Sequence, residues 1–159
     1  MALISDIVES WHSPRRVVRR LRGAGRSEPF VFTFLFVFLL LAFVSLAPYL
    51  SRQSALNPDV TLYQRLFGAG LGLLALVPFF YLLAALFHLI ARLMGGIGSY
   101  YDGRLALFWA LACSTPGMLF LGLVRSFMGD GPVITGMGLA LFVAFITLYS
   151  LMLREVEGQ

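Results

Sequence analysis

Four long stretches without a charged side chain dominate the pattern of this chain. They lie between Glu28 and Arg52, Arg65 and Arg92, Arg104 and Arg125, and Asp130 and Arg154, so that residues 29–51, 66–91, 105–124 and 131–153 are free of Asp, Glu, Lys and Arg. Each reaches the roughly 20 residues that an α-helix needs to cross about 30 Å of hydrocarbon. A backbone in lipid has to satisfy its N–H and C=O groups internally, which predicts helices and not open strands. Upstream, Ile4, Ile7, Val8, Trp11, Val18 and Leu21 recur at a spacing close to helical. Ser13-Pro14 reads as an N-cap followed by proline at the first helical position. The expectation is a short helix, a break near His12–Ser13, and a second helix through about Arg22 that Gly23 and Gly25 end.

The expected fold class is therefore an all-α membrane protein. Four transmembrane helices (29–153) follow a cytoplasmic amphipathic helical segment (1–28) and precede a cytoplasmic tail (154–159). Composition agrees: of 159 residues 59% are hydrophobic and only 13% charged, where a soluble domain carries about a quarter. There is too little polar surface to coat a globule in water. The apolar run after Glu28 is longer than the roughly 7–15 residues of a signal-peptide core, so the first span is read as one that stays.

Charge sets the expected orientation. All 12 basic residues are arginine, which points to a GC-rich bacterial genome. Arg15, Arg16, Arg19, Arg20, Arg22 and Arg26 precede the first span, and Arg92 and Arg104 bound the turn between the second and third. The other two connections pair Arg52 with Asp59 and Arg125 with Asp130. An excess of arginine on the cytoplasmic side places both termini and the glycine turn of residues 95–103 in the cytoplasm of a multi-pass inner-membrane protein. The basic segment is expected to meet anionic lipid and not nucleic acid. At about 1 kcal/mol per arginine near such a surface, Arg15, Arg16, Arg19 and Arg20 together contribute roughly 4 kcal/mol. Trp11 beside them suits a helix at the membrane surface; a helix packed on its own protein is the competing expectation.

Small residues mark expected helix contacts. Gly68-x-x-x-Gly72 is a small-xxx-small spacing, with Gly136 in the fourth span and Gly117 in the third. Packing within the four-helix bundle is the first reading, a homo-oligomer or membrane-protein partner the second. Pro48, Pro78 and Pro116 each remove a backbone donor, and Ser114 and Thr115 stand next to Pro116 to answer a freed carbonyl.

Candidate chemistry is sparse. His88 is the one ionisable group inside an uncharged run, about a turn from Arg92, and is expected to donate to a carbonyl or a lipid headgroup. No span carries Asp, Glu, Lys or Arg in its middle, which argues against ion-coupled transport. Ser45, Ser114 and Ser150 have no activating base at their depth, and the single Cys113 forms no metal-ligand pair. Gly95, Gly96, Gly98 and Gly103 lack the Gly-Lys-Ser/Thr ending of a phosphate loop. They read instead as a left-handed C-cap at Gly95 or Gly96 and a tight turn. Tyr100, Tyr101 and Trp109 fit an interfacial aromatic belt. No catalytic, cofactor or metal residue is expected.

Three stretches carry a family likeness. Ser13-Pro14-Arg15-Arg16 before the first span, Gly95-Gly96-Ile97-Gly98-Ser99-Tyr100 between the second and third, and Leu107-Phe108-Trp109-Ala110 running toward Pro116 together resemble the bacterial branch of the Yip1 family of small multispanning membrane proteins. The resemblance implies an integral membrane protein without catalytic residues or cofactor, a scaffold or membrane-organising factor working through protein or lipid contacts. The alternative expectations are an accessory subunit of a larger membrane complex (respiratory, photosynthetic or export) and a small carrier for a neutral solute or lipid.

Overall fold

The computed structural model describes residues 3–25 and 27–158, and within these every regular element is a helix. Two short helices, α1 (Leu3–His12) and α2 (Pro14–Gly23), precede four long ones: α3 (Glu28–Leu56), α4 (Leu62–Leu93), α5 (Tyr100–Met128) and α6 (Pro132–Val156). All four long helices have the length and apolarity of membrane spans. They overrun the uncharged stretches at both ends in three cases out of four, and α6 does so at its C-terminal end. At about 1.5 Å per residue the 32 residues of α4 cover about 48 Å, well beyond 30 Å of hydrocarbon. Their charged ends stand where water is available.

Local chemistry sets those ends. Thr61 and Gln64 form a reciprocal capping box that starts α4, and Ser99 and Asp102 do the same for α5. Each box satisfies donors that the first turn leaves free. At the other end of α4, Gly95 takes φ +96°, Gly96 N–H donates to Ala91 O at 2.9 Å and Gly95 N–H to Arg92 O at 3.1 Å. This is a Schellman stop, which needs the left-handed residue that glycine supplies without strain.

α5 is the axis of the molecule. All residues from 101 to 115 except half-buried Arg104 are buried, whereas most of those from 116 to 128 are not. Its main partner is α3: Phe34 meets Trp109 edge-on at 4.8 Å, and Ser45 Oγ donates to Met118 O at 3.1 Å. The closest approach is at Gly122, where any Cβ would overlap the hydroxyl and carbonyl of Ser45. Gly117 has the same role toward α6, since a Cβ there would lie 2.6 Å from Leu141 Cδ1. Thr115 Oγ1 donates at 2.7 Å to Ala112 O, the carbonyl that Pro116 cannot reach.

Gly68, Gly72 and Gly136 correct the packing expectation. A Cβ at any of the three meets nothing within 4 Å. The first half of α4 stands clear of α5 and α6, and of its 32 residues only Ala84, His88 and Ala91 are buried. Spacing on one helix identifies a smooth surface, but the path of the neighbouring helices decides whether that surface is covered.

Candidate functional site

The polar groups gather at the end of the bundle that carries both chain termini. Glu157 follows the last turn of α6 and is 1% exposed. Its Oε1 lies 2.6 Å from His88 Nδ1, its Oε2 accepts from Gly98 N–H at 3.0 Å, and its backbone carbonyl accepts from Ile97 N–H at 3.0 Å. The glycines of the turn make room for this: a Cβ on Gly96 or Gly98 would sit 2.6 or 2.8 Å from Glu157 Oε2. Gly103 does the same for His88, whose Cβ would be 3.1 Å from an added methyl. The ring of Tyr100 lies 4.4 Å from the imidazole, and His88 Nε2 is buried without a hydrogen-bond partner among the described residues.

One expectation is corrected here. His88 meets a carboxylate and not a headgroup or a carbonyl, because Glu157, 69 residues on, returns to it. Within the segment 154–159, read as a tail, α6 runs to Val156 and the α4–α5 turn clamps Glu157.

The α1–α2 hairpin covers α5 and α6 on the same side. α2 is ordinarily amphipathic: Val17, Val18 and Leu21 are buried, and Arg15, Arg16, Arg19 and Arg20 lie outside. α1 is reversed. Its buried residues are Asp6 and Ser10, while Ile4 is 76% and Val8 57% exposed, with Trp11 and Leu3 outside as well. The buried polar stripe is hydrogen-bonded throughout. Ser10 Oγ donates to Asp6 O at 2.7 Å and accepts from Trp109 Nε1 at 2.9 Å. Arg20 closes the hairpin on Asp6 and Glu9 at 2.5 and 2.8 Å. The hydrogen bond that Arg20 donates to Glu9 holds its guanidinium above its ordinary pKa, so it is cationic at any working pH.

The hairpin is tied to the bundle by further polar links. Trp11 Nε1 donates to Cys113 O at 3.2 Å, Arg22 pairs with buried Asp102 at 3.0 Å, and Arg19 pairs with Glu155 at 2.5 Å. Tyr101 donates its hydroxyl to Gly25 O at 3.1 Å. Trp109, expected at the membrane interface, is 1% exposed under this hairpin, and Tyr101 is buried too; Tyr100 alone of the three stays half exposed. Among the described residues, no three His, Cys, Asp or Glu side chains come together as metal ligands.

A model of the Yip1 domain matches residues 8–157, nearly the whole chain. The chain belongs to the Yip1 family. No curated protein and no solved structure matches it. The three stretches that resemble the family occupy distinct parts of this end of the bundle. Ser13-Pro14-Arg15-Arg16 forms the tip of the hairpin, 95–100 forms the turn that grips Glu157, and Leu107 to Ala110 form the buried part of α5 beneath α1.

Of the arginines singled out in this Yip1 domain, Arg19 and Arg20 are engaged with carboxylates, whereas Arg15 and Arg16 are exposed and carry no ion pair among the described residues. They line a shallow depression with His12, Ser13 and Leu151 at the hairpin tip. Sequence reasoning missed Asp6, Ser10, Asp102 and Glu157 as organising residues. The signal for the first two was present, since they are four apart on the stripe opposite Ile4, Val8 and Trp11.

Proposed function

We propose that this Yip1-family protein is a non-catalytic organiser of the bacterial inner membrane, with both termini cytoplasmic, and that its α1–α2 hairpin is the part that engages anionic lipid. The observation that supports this reading most strongly is the reversed amphipathicity of α1. A helix that buries Asp6 and Ser10 and exposes Ile4, Val8 and Trp11 turns its apolar stripe outward, where an apolar medium would return up to about 1.5–3 kcal/mol per aliphatic side chain that it fully covered. It fits the boundary between acyl chains and headgroups. Arg15 and Arg16, next to it and unpaired, supply the attraction to phosphate.

The chain has two tryptophans, and Trp109 is buried, so the Trp109→Phe variant reports Trp11 alone. In vesicles its emission should be quenched by phospholipid spin-labelled near the headgroup more than by lipid labelled near the chain end. Arg15→Gln with Arg16→Gln should weaken the dependence on anionic lipid. Emission untouched by either quencher would sink the reading.

A second reading, a subunit held in a larger membrane assembly or a homo-oligomer, draws on the first half of α4, where Gly68, Gly72, Phe67 and Leu71 face open space. Extraction in native-lipid nanodiscs followed by mass spectrometry separates the two. A stoichiometric protein companion favours the second reading, enriched anionic lipid alone the first.

A further inference from the structure

α4 and α6 both pack on α5 and leave between them a groove of about 270 Å³ beside the His88–Glu157 pair. Phe87 and Ile90 of α4 face Ile146 and Leu153 of α6 across it, and Phe87 meets Tyr149 at 5.4 Å where the two helices come together. From Ile146 to Arg154 the groove follows α6 over eight helical steps, about 12 Å at 1.5 Å per residue. That is most of the roughly 15 Å thickness of one leaflet's hydrocarbon. Its walls are apolar toward the middle of the bundle and polar toward the chain ends.

The polar end carries one free charge. Arg154 lines the groove, is exposed and makes no ion pair among the described residues. Glu157 lies at the same end, but both its carboxylate oxygens are engaged, one by His88 and one by Gly98 N–H. Tyr149, in the wall, has a buried hydroxyl with no partner among the described residues.

We infer that the α4–α6 groove seats one acyl chain of an anionic phospholipid from the leaflet on the side of the chain termini, with its phosphate on Arg154. The shape is that of an amphiphile, apolar over the depth of a leaflet and cationic at the headgroup level, where Glu157 is already engaged by His88 and Gly98 and Arg154 carries no ion pair among the described residues. This site is separate from the outer face of α1, and neither depends on the other.

The test is native mass spectrometry of the full-length protein in detergent with added phosphatidylglycerol or phosphatidylcholine of identical chains. The wild type should retain one phosphatidylglycerol in preference to phosphatidylcholine by about fivefold, the factor that about 1 kcal/mol for one arginine implies. Arg154→Gln should bring the two lipids to about equal retention. Ser150→Phe, which places a ring in the groove from a half-exposed position, should abolish the retained lipid of either kind. Arg15→Gln with Arg16→Gln should leave the retained lipid unchanged, which keeps this result distinct from the hairpin's. Equal retention of the two lipids by the wild type, or a preference that survives Arg154→Gln, overturns the inference. So does a Ser150→Phe protein that is folded by circular dichroism and retains lipid as before.

Discussion

The two ends of the bundle are built differently. At the end carrying the termini, α5 is buried over most of its length, Ser10–Trp109 and Arg22–Asp102 tie α1 and α2 to it, and His88–Glu157 ties α4 to the residue after α6. At the other end α4 leans away, α5 beyond Pro116 is largely uncovered, and one small cluster ties the connections together. In that cluster Tyr49 donates to Asp130 Oδ2 at 2.8 Å, Arg125 pairs with Asp130 at 2.8 Å, and the Arg125 guanidinium lies 4.0 Å from the Tyr49 ring centroid. Buried polar links are strong where water is excluded and exposed ones are weak. The difference teaches that one end is fixed as a platform, while the other is left to whatever surrounds it.

The largest effect should come from opening the platform. Glu157→Ala leaves His88 buried with no partner on either ring nitrogen and frees the turn at Gly98, at a cost of about 3 kcal/mol. Thermal unfolding in detergent should show it, with Glu157→Gln milder because the amide can still accept from Gly98. An unchanged unfolding temperature for Glu157→Ala would refute the idea that the chain end clamps the turn.

Next in size is Gly122, where the open half packs backbone against backbone, so that an added Cβ would overlap Ser45 O. Leucine there forces α3 off α5 and should cost about 2–3 kcal/mol, measured in the same unfolding experiment. Equal loss at Gly122 and Gly136 would erase the distinction between covered and uncovered glycines.

A smaller, pH-dependent effect is expected in the far cluster. The Tyr49 hydroxyl first, and then Arg125, hold the Asp130 carboxyl below its usual pKa. A depressed folded-state pKa gives stability that is present above the unfolded value and is lost as pH falls through the folded one. Acidification below about pH 4, the ordinary aspartate range, should therefore speed hydrogen exchange in residues 126–132. Tyr49→Phe should remove most of that sensitivity.

The smallest intramolecular effect belongs to Gly68→Leu with Gly72→Leu. Among the described residues nothing lies within 4 Å of a Cβ added at either, so the unfolding temperature should move little. A change in oligomeric state without a change in stability would show that this half of α4 is a contact surface.

The sequence by itself determined the four spans, the break at His12–Ser13, the glycine stop of α4 and the family. These follow from local requirements: an uninterrupted apolar length for lipid, a proline that starts a helix, and a left-handed residue that ends one. Only the tertiary structure decided which stripe of α1 faces the protein, since Asp6/Ser10 and Ile4/Val8/Trp11 are equally regular on the helix and a partner such as Trp109, 99 residues on, selects between them. It decided likewise that Gly122 and Gly117 are covered and Gly68, Gly72 and Gly136 are not. The burial of Glu157 was beyond any local pattern. A carboxylate just past the last turn of a span reads as solvated, and it becomes interior only because His88 and the glycine turn arrive from elsewhere to satisfy it.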